Sequence, residues 1–239
     1  PMQYYSDNSL TGPLNLIYAP ENHTLNLPYY LAFYDVRVGR SIAEIKPGLP
    51  VDQEYRNASF HGNTSDSLVF AYSSDYCLRI LDPAYDKDLP ILPNELKEAL
   101  VLSNPAQRII ADPAQPASPN PAAFAAEPEH GWCYDFEKAD LARQQQKWDE
   151  VIQWSEAGLQ KGFAPKNTSE LLPVIEAYAR TGRWDQAAQT AVSAYQKMTS
   201  LHDKLCDTLN RSAESSQLTA EAQSQLDEAL HQIRCNSLP

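Results

Sequence analysis

Gly182-Arg183-Trp184-Asp185-Gln186-Ala187-Ala188 reads as the turn between two helices packed against each other. A glycine ends the first helix, an aromatic fills the elbow, and small residues let the second helix approach. Thirty-six positions earlier stands Gln146-Lys147-Trp148-Asp149-Glu150-Val151-Ile152, the same pattern without the glycine. The offset also pairs Ala139 with Ile175, Ala142 with Tyr178, Ser155 with Ala191 and Leu159 with Tyr195, and predicts all of them on an inner face. Self-similarity at a fixed period marks units that bury a core only by stacking on one another. Trp148, Trp184, Gly182 and Ala187 are therefore the expected elbow-packing residues.

This C-terminal stretch resembles tetratricopeptide repeats, with a period slightly above the family's 34 residues. The apolar stripe Trp184, Ala188, Ala191, Tyr195, Met198, Leu205 and Leu209 predicts one long outgoing helix to about Ser212. Ser215-Ser216 breaks it. Leu218, Ala222, Leu226, Ala229, Leu230 and Ile233 then predict a final helix that caps the stack.

Upstream, Pro113, Pro116, Pro119, Pro121 and Pro128 stand among Ala, Ser and Asn, a composition that sustains neither helix nor ladder pairing. Three regions follow: an α+β domain over 1–112, a Pro/Ala-rich linker or strap over 113–130, and an all-α repeat over 131–239. In the first, Ser67–Tyr72 and Cys77–Leu81 read as a strand pair about Ser73-Ser74-Asp75. Leu31–Val38 and Tyr55–Phe60 read as further strands of the same small antiparallel sheet. A helix is expected over Asn94–Ser103, with Asn94 as its cap after Pro93, and a short one after Ser9. The fold class is α+β.

The chain of 239 residues carries a formal charge of −12 and a sequence pI near 4.8. Nucleic-acid binders gain affinity by setting Lys and Arg against phosphates, so nucleic acid is not an expected partner. No Lys/Arg run is present to draw the chain to anionic lipid. No apolar run approaches the roughly 18 residues of a membrane helix, so the chain as given reads as soluble. Its opening at Pro1-Met2 is the expectation for a piece whose targeting segment lies upstream.

Cys77, Cys133, Cys206 and Cys235 show no zinc spacing. An oxidising compartment allows two disulfides in any of three pairings, and four buried thiols are the alternative. If the last two helices turn about residues 214 and 215, Cys206 and Cys235 are offset by about 18 Å along the axis at about 1.5 Å per residue. That exceeds a disulfide's reach unless the tail folds back, which favours Cys77 with Cys133 and a staple between the sheet domain and the repeat.

Candidate chemistry is thin. Glu127, Glu129, His130, Asp135, Glu137 and Asp140 supply metal-ligand residue types, but at spacings that fit a solvated helix start better than a site. His61 to Ser67 hold the residue types of a hydrolase triad in a single loop, whereas triads assemble from separated segments, so a polar turn is the better reading. His202 and His231 read as ordinary surface histidines. Asn22, Asn57, Asn63, Asn167 and Asn210 open glycosylation sequons that matter only in a host with the machinery. Tyr4, Tyr5, Tyr18, Tyr29 and Tyr30 lie close together and could stack on sugar rings or simply pack. No cofactor motif is present, and the fragment is not expected to be an enzyme.

Four stretches resemble the C-terminal regions of large bacterial polytopic membrane proteins similar to protein-O-mannosyltransferases. They are Tyr5-Ser6-Asp7-Asn8-Ser9-Leu10-Thr11, Asn15-Leu16-Ile17-Tyr18-Ala19-Pro20, Cys77-Leu78-Arg79-Ile80-Leu81-Asp82-Pro83, and the run Glu129-His130-Gly131-Trp132-Cys133-Tyr134-Asp135-Phe136-Glu137-Lys138-Ala139-Asp140-Leu141-Ala142. The resemblance implies an extracytoplasmic domain tethered behind a membrane portion and brings no catalytic residue with it. It places both Cys77 and Cys133 in matching stretches, which adds to the case for that pair. The expected function is a non-catalytic interaction or scaffold domain, partnered by another protein or by the membrane portion of the same chain. The alternative is an accessory domain of a membrane glycosyltransferase that binds a glycan or lipid-linked acceptor.

Overall fold

The computed structural model describes residues 7–110, 113 and 117–235. In chain order the first elements are α1 (Asp7–Tyr18), α2 (Tyr34–Arg37), β1 (Pro50–Tyr55), β2 (Ala58–Asn63), β3 (Phe70–Ser73), β4 (Tyr76–Ile80), α3 (Pro83–Asp86), α4 (Asn94–Ala99) and α5 (Pro105–Arg108). The helical part follows as α6 (Trp132–Gln144), α7 (Trp148–Gln160), α8 (Leu172–Arg180), α9 (Trp184–Lys197), α10 (His202–Glu214) and α11 (Ala220–Ile233). This is an α+β chain with two small antiparallel sheets and a helical C-terminal region.

Two compact units emerge, and they do not follow chain order. One gathers Pro1–Val69, Ile80–Tyr85 and Asn94–Glu129; the other gathers Phe70–Arg79, Asp86–Pro93 and His130–Pro239. The sequence boundary put the 70–79 hairpin with the first region, whereas here it belongs with the helices. Tyr4, Tyr5 and the junction residues Ala111 and Asp112 lie outside the described residues.

In the first unit the side chain of Asn15 on α1 clamps the backbone of Tyr29, donating to its carbonyl at 2.7 Å and accepting its N–H at 3.1 Å. Strands β1 and β2 pair antiparallel from Pro50↔Asn63 to Tyr55↔Ala58. Arg56 takes φ +56° in the two-residue turn between them, as primed hairpin turns require of their first central residue. The stretch Tyr55–Phe60, expected as one strand, is thus the turn and flank of a hairpin. The expected strand at Leu31–Val38 is replaced by the single turn α2, which buries none of its residues. Tyr34, Val36 and Val38 would give a strand its apolar face, but among the described residues no strand pairs with this stretch beyond the single Val38↔Ile42 bridge, so an extended backbone would stay unsatisfied. Instead of one sheet the chain forms two separate two-stranded hairpins.

In the second unit the helices form pairs α6–α7, α8–α9 and α10–α11. The second helix of each begins at residue 148, 184 and 220, equal steps of 36. The single long helix expected through Ser212 is broken. Met198 leaves helical geometry at φ −146°, ψ 86°, a 3₁₀ turn spans Thr199–Leu201, and α10 starts afresh against α8. Burying Leu201, Leu205 and Leu209, all fully enclosed, requires α10 to turn back, because a straight continuation would leave that stripe in water. The final helix α11 packs chiefly along α9. Leu159, expected inside, is 43% exposed, and the inner position of its turn is taken by Gly158 as Ala194 takes it in the next pair.

Among the described residues no helix is long and apolar enough to cross a membrane.

Candidate functional site

The two predicted elbows repeat bond for bond. After α6, Gln146 N–H donates to Arg143 O at 2.9 Å and Lys147 N–H to Ala142 O at 2.9 Å. After α8, Gly182 N–H donates to Ala179 O at 3.1 Å and Arg183 N–H to Tyr178 O at 2.8 Å. Both are Schellman caps, in which one residue must enter the left-handed region. Gly182 does so at φ +80° and Gln146 at φ +58°. Trp184 and Ala187 are buried beyond the second turn. Trp148 is half-buried beyond the first, with the Arg180 guanidinium 5.4 Å over its ring.

The 70–79 hairpin joins the helices through a buried polar junction. Cys77 is bonded to Cys133 with Cα atoms 5.2 Å apart, in a cluster with Trp132 and Phe136. Both cysteines belong to one unit, so the bond closes that unit and does not staple two domains. Beside it, the enclosed Glu170 carboxylate accepts from the Cys77 N–H at 2.7 Å, the Trp132 indole at 2.7 Å and the Lys166 N–H at 2.9 Å. Arg79 donates to Asp86 at 3.1 Å and to the Ser169 carbonyl at 3.2 Å, and lies 4.9 Å over the Phe136 ring. Arg143 reaches Asp140 at 2.8 Å and Asp86 at 3.6 Å. Buried charges persist only when paired and hydrogen-bonded, and removing one partner of such a set costs about 3–5 kcal/mol.

Two open grooves lie on either side of α9. One, of about 400 Å³, is lined by Leu159, Pro165, Leu171, Thr190 and Lys197 among others. The other, of about 530 Å³, runs between α9 and α11 past Asp185, Val192, Gln196, Gln225, Glu228 and Gln232. Gln189 and Ser193 line both. Amides and hydroxyls, which donate and accept hydrogen bonds but do not titrate near neutrality, dominate the shared wall.

The residues singled out earlier scatter. Asp135 and Asp140 are buried, not at a solvated helix start, since Lys161 lies 3.2 Å from Asp135 and Arg143 neutralises Asp140. Glu137 stands at the solvent edge of α6, where partial desolvation first and the charge of Asp140 second raise its carboxyl to about 7. Glu127, Glu129 and His130 are exposed. No group of three or more His, Cys, Asp or Glu able to hold a metal occurs among the described residues. His61 is on β2 and not in a loop, facing Asp52 across the hairpin at 2.7 Å in open solvent, while Thr64 is buried and Ser65 donates its N–H to Asn63. Tyr18 and Tyr29 are both exposed with ring centroids 6.1 Å apart, and Tyr30 stacks on Phe60.

The pairing of Cys206 with Cys235 overturns the expectation that their separation was too great: their Cα atoms are 5.6 Å apart. Residues 215–219 form the connection between α10 and α11, so they contribute no helical rise to the offset. The remaining gap closes because Arg234 enters the left-handed region at φ +69° and the Cys235 N–H turns back to Leu230 O at 2.8 Å. His202, passed over in the sequence, sits at this join. Its Nδ1 is 2.7 Å from Asp203, and its Nε2 is 3.3 Å from Arg234 O and 3.9 Å from Cys206 Sγ. The Asp203 hydrogen bond, then the Arg234 carbonyl, raise its imidazole above the ordinary value. Spacing within one helix could have flagged His202 beside Cys206; nothing in the sequence flagged Arg234.

Comparison with protein-family models, with curated proteins and with solved structures finds no match to this chain.

Proposed function

We propose that this chain is a non-catalytic interaction module whose receiving surface is the double groove along α9. The carrying observation is that Gln189 and Ser193 line both grooves, so one helix offers hydrogen-bonding side chains to a ligand on either side. The charged side chains of the unit support this reading. Arg79, Asp86, Asp140, Arg143 and Glu170 are committed to internal partners and hold the scaffold rigid. The partner is a protein or the membrane portion of the same chain; the charge of −12 disfavours nucleic acid. Two disulfides support an oxidising compartment. With the resemblance to mannosyltransferase-type proteins, this points to the extracytoplasmic face of a bacterial membrane, with tethering through a membrane segment.

The test sets a photo-reactive phenylalanine derivative at Gln189 and, separately, at the exposed Glu150 outside both grooves. The expected result is a protein joined from position 189 alone, identified by mass. Its purified form should bind wild type and lose at least about tenfold in affinity, about 1.4 kcal/mol, when Gln189 and Ser193 both become Arg. Equal capture from both positions, or binding indifferent to the double substitution, defeats the reading.

The second reading is an accessory domain of a membrane glycosyltransferase that holds a glycan or lipid-linked acceptor. Its observation is the exposed Tyr18–Tyr29 pair, an apolar platform with polar edges. Saturable shifts of these two tyrosines on titration with oligosaccharides would favour it, and unchanged resonances would remove it.

A further inference from the structure

The two disulfides stand in different surroundings. Cys77 is 2% exposed inside a cluster of Trp132, Phe136, Phe163 and Leu171. Cys206 and Cys235 are each half-buried, and Cys235 lies on the last turn after α11, next to the exposed Arg234. A reductant in solution can therefore approach the second bond from either cysteine, and the first only from the half-buried Cys133, which packs against the same aromatic cluster. Beyond that access, the sulfur of Cys206 has a neighbour suited to a leaving group. Both ring nitrogens of His202 face acceptors, Asp203 on one side and the Arg234 carbonyl with Cys206 Sγ on the other, an arrangement that satisfies two N–H donors and so the imidazolium.

We propose that Cys206–Cys235 is a thiol–disulfide exchange site for a dithiol reductant, in which Cys235 Sγ is attacked and Cys206 leaves as a thiolate held by His202. The reductant's thiolate forms a bond to Cys235 Sγ as the Cys206–Cys235 bond breaks, and the electron pair passes to Cys206 Sγ. The second thiol of the reductant, deprotonated, then attacks its own sulfur in the mixed disulfide and releases Cys235 as thiolate. Both protein thiolates take up the two protons the reductant lost. The dithiol ends as a disulfide and the protein as two thiols. A leaving thiol of lower pKa departs faster, and a neighbouring cation lowers it. The groups facing the His202 ring are Asp203 and Cys206 on α10, Tyr195 on α9 at 6.0 Å between rings, and Arg234 after α11. The helix itself stays docked, since Ala222, Leu226, Ala229, Leu230 and Ile233 remain buried. What exchange releases is the final turn.

The full chain is treated with dithiothreitol in the absence of denaturant, quenched with an alkylating agent, and each cysteine is read by peptide mass while circular dichroism follows helix content. Cys206 and Cys235 should label at least about tenfold before Cys77 and Cys133, with helix content unchanged. Labelling of all four together, or only with loss of helix, overturns the proposal. The rate is then compared between wild type and His202→Gln at matched pH, a ratio from which the reductant's own ionisation cancels. The ratio should be largest on the acid side of the imidazole's titration, where the ring is charged, and approach one on the alkaline side, where it is neutral. Asp203→Asn, which leaves an acceptor for Nδ1 but removes its negative charge, should move the profile the same way by less. A ratio flat with pH in both variants overturns the role of His202.

Discussion

The turn after α6 and the turn after α8 make the same backbone hydrogen bonds from different residues. At the left-handed position one uses Gly182 and the other Gln146. A side chain costs about 1–2 kcal/mol in that conformation. Gln146 bears the cost because helix packing on both sides fixes where the chain must reverse. The tryptophans differ in the complementary sense, Trp184 enclosed and Trp148 half-buried under Arg180. The second elbow combines a relaxed turn with a fully packed aromatic, and the first combines a strained turn with a partly wet one. The repeat is thus kept by geometry, and the residues that enforce it carry unequal shares.

The largest effect should come from Trp184→Ala, with a loss of about 3–5 kcal/mol in urea unfolding; Trp148→Ala should cost about 1–2 kcal/mol because its ring is already partly solvated. Equal losses would erase the distinction. At the turns, Gly182→Ala should destabilise by about 1–2 kcal/mol through backbone strain alone, since a methyl group there meets nothing within 4 Å. The converse change, Gln146→Gly, should stabilise by about 0.5 kcal/mol, the released strain less the flexibility that glycine gives the unfolded chain. A loss of stability at Gln146→Gly would mean that its side chain, not its conformation, holds the first elbow. The smallest effect concerns Tyr178, whose counterpart in the first pair is Ala142. Burial first, then its hydrogen bond to Glu156, raises the phenol to about 12. The unfolded chain ionises near about 10, so this contribution to stability is whole below that pH and is lost as pH climbs towards 12. Denaturation midpoints of wild type and Tyr178→Phe should converge in slope below about pH 10 and diverge above it; parallel curves throughout would show the phenol to be free.

How much was legible depended on whether the signal was local. The helix pairs were, because an amphipathic period and a turn residue act within a few positions of each other, and the 36-residue offset named both elbows. The hairpin at 70–80 was, for the same reason. Leu31–Val38 misled because alternation signals a strand only where a partner exists. The break at Met198 was hidden because the apolar stripe runs across it without interruption. Glu170 could not be singled out: its three donors come from Cys77, Trp132 and Lys166, up to 93 positions away. Nor could the grooves, since Gln189 and Gln225 acquire meaning only once α9 and α11 lie side by side.

By itself the sequence determined that the chain is α+β, that its C-terminal part is built from helix pairs at a spacing of 36, and where two of those pairs turn; these follow from periodicity and from the restricted conformations of single residues. Only tertiary structure decided that the 70–79 hairpin joins the helices, that Cys206 meets Cys235, and that His202 stands between that bond and the end of α11. Those depend on which surfaces find each other. A buried charge must meet its partner and an apolar stripe its cover, and neither requirement says from how far along the chain the partner comes.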